Sequence, residues 1–499
     1  MEQRRVSLVN VEKRQVYRTD FPSLPLPEEI LTKLVDDSKD WAHANGLVMR
    51  TPEAKNSSDL CMIAPFSLLP APFPAELFEE AVQVQDSIAR LYHQIAYDVD
   101  FLLKCHAEVV ETDAFTRGLC DILKTIHSEG LTQRKTLVIQ RSDYMCHKDK
   151  FTSEYTLKQV EVNNIASSMG AHAERVGSLH LRNLRELGVA EEVISSAIPP
   201  NSPVHMIARS LFLAWKEFGA EDGVILVVVE DVNQNQIDQR HVEYELTKQG
   251  VPSRLIIRRS LTELHTKSHL DEQKHLVVDG GRVSVVYFRS GYAPSHYPSE
   301  AEWAARLKIE RSDAIKAPWI GLQVANTKKV QQVLAEDGEL ERFLRKPAEA
   351  AAVRRTFAGL WSLDPGNPIS EKMIKHAIAH PAEYVLKPQL EGGGGNFYGQ
   401  EVAEKLQSFS AQERAAHILM ERFHPLVVQS YMVRANLPVS LVEIVSELGI
   451  YGYAFGDDSS PAVVATGGHL IRSKGQFVDE GGVAVGAAVI DSPFLFRSP

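Results

Sequence analysis

The chain has 499 residues, 44% hydrophobic and 24% charged, the balance of a globular protein rather than a disordered one. Its 54 Lys and Arg against 65 Asp and Glu leave a formal net charge of −11, which argues against nucleic acid as a partner, because phosphate readers carry a basic stripe. The length predicts about two to four folding units or one large α/β enzyme domain, and acidity still allows an anionic substrate in a local cluster of Lys and Arg.

The N-terminus, MEQRRVSLVNVEKRQ, has no apolar signal core. The most apolar stretch, 61–78, is broken by Pro65, Pro70, Pro72 and Pro74, so neither a signal nor a membrane span is expected. Leu31, Leu34, Val35 and Trp41 share one face of a helix predicted over 28–44. The proline-rich segment 61–74 reads as an extended connection. Residues 76–132 repeat hydrophobes at helical spacing, with a long helix or a pair from Val82 to Leu103 and helical character continuing over 115–127. A short strand over 136–139 enters Arg141-Ser142-Asp143-Tyr144, and a second strand spans 155–162. Strict alternation puts Leu157, Gln159 and Glu161 on one face and Val160 and Val162 on the other. Residues 171–188 are helical.

The run VILVVV at 224–229 suits a strand buried on both faces of a parallel sheet. A helix over 237–249, a strand at 255–257 and a hairpin turning at Asp279-Gly280-Gly281 complete an inserted α/β block. Helices follow at 300–317 and 328–335. Residues 384–398 read strand, glycine loop, strand, 440–454 read as one strand or a pair, and 481–490 are small and apolar. The expected division is 1–220, an inserted substrate domain at 221–326, and 327–499. Cys61, Cys105, Cys120 and Cys146 form no C-x-x-C or metal pattern and read as free thiols in a reducing, cytoplasmic setting.

Three groups carry chemistry. Gly392–Gly395 leave amides open to cover phosphates without being a Walker A or Rossmann loop; such a run also suits a flexible surface loop, but the strand before it and Phe397 and Tyr398 after it favour a flap. Lys387 and Glu391 flank its entry, a cation for phosphate and an oxygen ligand for Mg²⁺. Glu161 and Asn163, two residues apart at a strand end, can reach one ligand. Arg141, Arg289, Lys328, Arg472 and Lys474 form a site only if the fold brings them together.

The stretches RSDYM (141–145), KQVEVNNIASS (158–168), VVYFRSGY (285–292), NTKKVQQ (326–332), FAGLWSLD (357–364), YVLKPQLEGGGGNFYG (384–399), SELGIYG (446–452) and HLIRSKGQFVDEGGVAVG (469–486) resemble, in order and over nearly the whole chain, the eukaryotic glutathione synthetase family. This chain departs in having four glycines at 392–395, where the family has three followed by Asn-Asn, and Ala166, where it often has Ser. The resemblance implies an α/β (α+β) ATP-grasp fold with an inserted parallel-sheet domain, a homodimer, ATP with Mg²⁺, and ligation of γ-glutamylcysteine with glycine through an acyl phosphate. It implies lids at about 387–425 and 475–486. By position, Glu161, Asn163 and Glu391 resemble the Mg²⁺ ligands, and Lys328 and Lys387 the phosphate lysines. Gly392, Gly393, Asn396 and Tyr398 resemble the covering loop. Met420, Glu421, Arg422, Phe423 and Glu447 resemble the adenosine side. Arg141, Ser168, Asn235, Gln239, Arg289 and Tyr292 resemble the dipeptide contacts, Arg472 an arginine near the reacting centre, and Lys474, Glu480, Val483 and Ala484 the small-residue loop. A sister ligase using β-alanine or serine is the alternative. A catalytically silent nucleotide binder would have lost Glu161, Glu391, Lys328 or Lys387, and none is lost.

Overall fold

The computed structural model describes residues 14–149, 152–220, 222–389, 395–459, 461–479, 482–483 and 486–497. Helix α1 (Glu28–Ala44) has the expected bounds and buries Leu34 and Val35, with Leu31 and Trp41 packed beside them. The proline-rich segment is extended and supplies a short strand, β1 (Phe66–Ser67). The helical region that follows is broken, with α2 (Ala75–Ile95), α3 (Val99–Cys105) and α4 (Ala114–Glu129) as its main pieces. Asp98 and Asp113 cause two of the breaks. Each carboxylate caps the amides of a new helix start, Asp98 at Phe101 and Asp113 at Phe115 and Thr116.

Two long strands come next, β2 (Thr136–Lys148) and β3 (Tyr155–Asn163). The predicted strand at 136–139 therefore falls short. The polar run that hid the rest of β2 pairs with neighbouring strands on both sides, and tertiary pairing overrides local propensity. Helices α5 (Gly170–Glu186) and α6 (Pro203–Phe218) lead into the inserted block. There β4 (Val224–Val228), helix α7 (Gln236–Lys248), β5 (Ile256–Arg259), β6 (Ser268–Leu270), β7 (Leu276–Val278), β8 (Gly281–Phe288), helix α8 (Glu300–Arg311) and β9 (Ile315–Ala317) follow in order. Strand β4 is buried throughout, as its aliphatic run predicts, and runs parallel to β5 and β8; β9 is parallel to β8. The helix expected over 300–317 stops at Arg311, because Ser312 turns extended and the next residues join the sheet.

Helices α9 (Ile320–Ala325) and α10 (Lys328–Leu334) return the chain to the body. Strands β10 (Leu360–Ser362), β11 (Tyr384–Pro388), β12 (Phe397–Tyr398) and β13 (His417–Glu421) form an antiparallel sheet in the order β10-β13-β11-β12. Finally β14 (Val427–Val433), β15 (Leu441–Gly456), β16 (Pro461–Gly475) and β17 (Ala488–Asp491) join the first strands in a seven-stranded, almost wholly antiparallel sheet, β14-β1-β17-β16-β15-β2-β3. The stretch expected at 440–454 is one continuous strand. This is the ATP-grasp arrangement of two facing sheets with an inserted sheet, which is mixed rather than wholly parallel as expected, because the hairpin at Asp279-Gly280 sets β7 antiparallel to β8 and β6. Among the described residues no helix is long and apolar enough to cross a membrane.

One irregularity aims the site. In the β2/β3 ladder Asp143 pairs with Glu161 but Tyr144 pairs with Gln159, so Val160 is an extra residue, a β-bulge. Leu157 and Gln159 stay buried, 1% and 2% exposed, on the side packed against α2. Glu161 moves to the opposite face. The alternation read from sequence is thus wrong at Glu161, and the bulge is the reason.

The insert packs on the body partly through Gly118 of α4, where a Cβ would lie 2.5 Å from Cη2 of Trp303. Trp303 is stacked on Tyr297 at 4.0 Å and cannot easily yield. Gly118→Ala should therefore destabilise the protein by about 1–2 kcal/mol despite its better helix propensity, read as a lowered urea midpoint.

Candidate functional site

A cavity of about 900 Å³ lies between the inner face of the large sheet, the β10–β13 sheet and the strand-end loops of the insert. Its floor comes from β2, β3, β15 and β16, where period 2 and register set each side chain. Asn163 faces Arg141 and Arg141 faces Tyr451; Glu161 faces Asp143 and Asp143 faces Gly449; Met145 faces Glu447 and Glu447 faces Arg472.

Asp143, 1% exposed, organises this floor. Its two oxygens take Arg141 Nε at 2.6 Å and Nη2 at 2.7 Å, a bidentate pair. It also accepts from Asn163 Nδ2 at 3.0 Å and Arg472 Nη2 at 3.2 Å. Arg472 donates to Glu447 as well. Burial alone would lower the Arg141 guanidinium, but Asp143 more than offsets it and holds it well above its ordinary range. Gly449 makes room for the pair: a Cβ there would fall 2.6 Å from Asp143 Oδ1 and 2.8 Å from Arg141 Cδ.

Beside this floor Glu161 stands among cations. Lys328, at the start of α10, has its Nζ 4.0 Å from the carboxylate, and Lys387 on β11 donates to the Val160 carbonyl at 3.4 Å, inside the bulge. Burial pushes the Glu161 carboxyl up, but Lys328, Lys387, Arg472 and Arg141 outweigh it and hold the group down at about 2. Asn163 spends its amide N–H on Asp143, which leaves its oxygen available as a ligand.

On the insert side, Arg289 follows β8 and is 5% exposed. It donates to the Ser167 carbonyl at 2.8 Å and lies 3.6 Å from Asp238. Burial would raise the Asp238 carboxyl, yet His172, Arg289 and the amides of Met169 and Ala171 keep it below its ordinary value. The turn before α5 is thereby fixed: the Ser168 carbonyl accepts from Arg141 at 3.1 Å and from Tyr451 at 2.6 Å. Ser168, Asn235, Gln239 and Tyr292 line the cavity beside them.

At the far end, Met420 and Glu421 on β13, with Arg422 and Phe423 just beyond, form one wall. Tyr398 donates to the Asp479 carbonyl at 3.3 Å, Asn396 bonds Tyr398, and Arg422 and Lys474 also reach Asp479. The β12 hairpin thus meets the small-residue loop, and Val483 lines the cavity from it.

Every described residue matched by resemblance to a site role lines this one cavity, whereas Gly395 and Phe397 of the glycine loop do not. Glu391, Gly392, Gly393, Glu480 and Ala484 lie outside the described residues. Glu447, given to the adenosine side by resemblance, is paired with Arg472. Sequence reasoning missed Asp143, Asp238, Gly449 and Tyr451. Asp143 and Gly449 stood inside the motifs RSDYM and SELGIYG, but only the sheet register shows that one needs the other.

The family model for the eukaryotic glutathione synthase ATP binding domain matches residues 28–495. The glutathione synthetase of Xenopus laevis is 41% identical over 94% of this chain and 97% of its own length, and that of Bos taurus 38% identical over 95% and 99%. Among solved structures, a glutathione synthetase-like effector of Globodera pallida, in its apo form, superposes with a TM-score of 0.77 at 26% identity, covering 97% of this chain and all of the other.

Two outcomes follow from the site's charges. Gly449→Ala should force Arg141 and Asp143 apart and cost about 2–4 kcal/mol in chemical denaturation, since a broken buried pair leaves uncompensated charge. A carboxyl held at about 2, below its ordinary 4.5, contributes stability that is complete above about pH 4.5 and is lost as pH falls towards 2. Glu161→Gln should therefore be less stable than the parent by roughly 1–3 kcal/mol at pH 7, with the gap closing only below about pH 4.5. Urea midpoints of both proteins across that range check it, and a gap independent of pH would contradict the charge assignment.

Proposed function

The chain belongs to the eukaryotic glutathione synthetase family and is an ATP-dependent ligase that joins γ-glutamylcysteine to glycine, and from that premise we propose how its cavity divides the work. The observation that carries the division is the cation cluster: Lys328, Lys387, Arg141 and Arg472 converge on Glu161 where the two sheets face each other.

ATP lies between the sheets, with its base against Met420–Phe423 and its phosphates against Lys328 and Lys387. Glu161 and Asn163 fit a magnesium ion carried by the nucleotide: both offer hard oxygen atoms on one face, and among the described residues no cluster of three acidic, His or Cys side chains could hold a metal alone. Glu391 completes that set in this proposal. Bound Mg²⁺ supplies charge neutralisation at the phosphates.

Arg141 and Arg472 orient the glycine-accepting carboxylate of the dipeptide, while Arg289, Tyr292, Asn235 and Gln239 hold its γ-glutamyl end. The carboxylate oxygen takes the γ-phosphoryl group, the bond to the ADP oxygen breaks, and the acyl phosphate forms. Negative charge spreading over the transferring group is met by fixed cations that need no reorganisation. The glycine nitrogen then attacks the acyl carbon, the C–O bond to phosphate breaks, and the nitrogen loses its proton as the amide forms. No protein nucleophile takes part. Tyr398 and Asp479 bring the two lid segments together, which shields the acyl phosphate from water. The same proposal includes a homodimer and a cytoplasmic setting; four cysteines without disulfide partners suit the latter.

ADP release measured over a panel of γ-glutamyl donors and amino acid acceptors tests this reading. Release should require γ-glutamylcysteine or a close analogue, and glycine should exceed β-alanine and serine by about tenfold or more in kcat/KM. Preference for either larger acceptor, or release without a γ-glutamyl donor, would overturn it.

A further inference from the structure

We propose that Glu230 receives the free α-ammonium group of the γ-glutamyl moiety and thereby makes the cavity selective for γ-glutamyl donors over plain acyl donors. The inference rests on the division of the cavity given above. A γ-glutamyl group ends in an amino-acid head, an ammonium and a carboxylate on one carbon. Burying that head requires an acid and a base side by side, since an unpaired buried ammonium is strongly disfavoured.

The topology provides such a pair. Strands β4 and β8 are parallel neighbours, with Val228 opposite Phe288. Glu230 stands two residues beyond the end of β4 and Arg289 one residue beyond the end of β8, at the carboxyl ends where ligands of parallel sheets bind. Both line the cavity. The other acids among its described lining residues are engaged elsewhere. Glu161 sits with Lys328, Glu447 pairs with Arg472, Asp479 with Arg422, and Glu421 accepts from the Gly359 amide.

Glu230 is also fixed in position by its neighbours. His296 Nδ1 accepts from the amides of Gly291, Tyr292 and Ala293 at 3.1, 3.3 and 3.3 Å, so the ring proton is on Nε2. That Nε2 lies 3.1 Å from Glu230 Oε1, and Tyr292 donates to the same oxygen at 3.3 Å. Both contacts fall on Oε1, leaving Oε2 for a ligand. Asn235, on the same side, has a buried Oδ1 that no described group satisfies, a second acceptor for an ammonium.

The test compares γ-glutamylcysteine with glutarylcysteine, which lacks only the amino group, in the parent, Glu230→Gln and Glu230→Asp. Glu230→Gln should raise KM for γ-glutamylcysteine roughly ten- to a hundredfold, the scale of a lost charge-assisted hydrogen bond. KM for ATP should move far less, kcat should fall less than KM rises, and KM for glutarylcysteine should stay within about twofold. Glu230→Asp should recover part of the loss. An equal rise with both donors would show that Glu230 only positions Tyr292 through Oε1, and no rise would show no role; either overturns the inference. Should Glu230→Gln fail to fold, the same two-donor comparison on Glu230→Asp decides. A parent inactive with γ-glutamylcysteine refutes the functional reading instead, and the comparison is then run on whichever γ-glutamyl donor the panel yields and its desamino counterpart.

Discussion

Asp143 is the carboxylate on which the cavity floor rests. It is buried in the middle of a β-sheet, where an isolated charge would be strongly disfavoured, and it persists because Arg141, Arg472 and Asn163 satisfy its oxygens. The dependence is mutual. Without Asp143 the two arginines would be like charges forced together under a low-dielectric roof. A pair of this kind adds little net stability over a well-packed apolar core, but it fixes where the guanidinium forks point, and a reaction that develops charge needs fixed dipoles more than it needs strong ones.

The cluster extends outward by the same logic. The bulge at Val160 turns Glu161 to the face of Asp143 and offers the Val160 carbonyl to Lys387, so one inserted residue supplies both an anion and an anchor for a cation. Lys328 reaches Glu161 from α10. The net charge of −11 belongs to the whole molecule, whereas the described lining of the cavity sets eight Lys and Arg against five Asp and Glu. The overall charge thus conceals a local field suited to an anionic ligand.

Much of this was legible in the sequence because it rests on local pattern. Helix α1, the aliphatic run of β4, the Asp279-Gly280 turn and the strand-loop-strand of β11 and β12 all follow from period, propensity and turn chemistry. The site residues were legible through ordered motifs rather than through any one spacing. What was hidden depends on partners distant in sequence. The length of β2 is set by β15, some three hundred residues later, and no alternation rule survives a bulge that exists only in the ladder. Gly449 reads as a weak point in a strand until the register places it over Asp143.

The two halves of the cavity are joined by more than the large sheet. Gln323, on the short helix α9, donates to the Gly291 carbonyl at 2.7 Å and accepts from the fully buried Arg306 at 2.6 Å, so it holds the loop that carries Arg289 and Tyr292. The same helix is followed by its C-cap Asn326, which accepts from the Asn164 amide beside Asn163, and Lys328 stands two residues further on. The residues proposed to contact the dipeptide and those proposed to contact the phosphates are therefore mounted on one buried, hydrogen-bonded segment. A ligase that must align three reactants gains from this arrangement, because an error of about 1 Å between donor and acceptor carries a large rate penalty. The inserted sheet is consequently a second wall of the cavity, held in register with the first by α9.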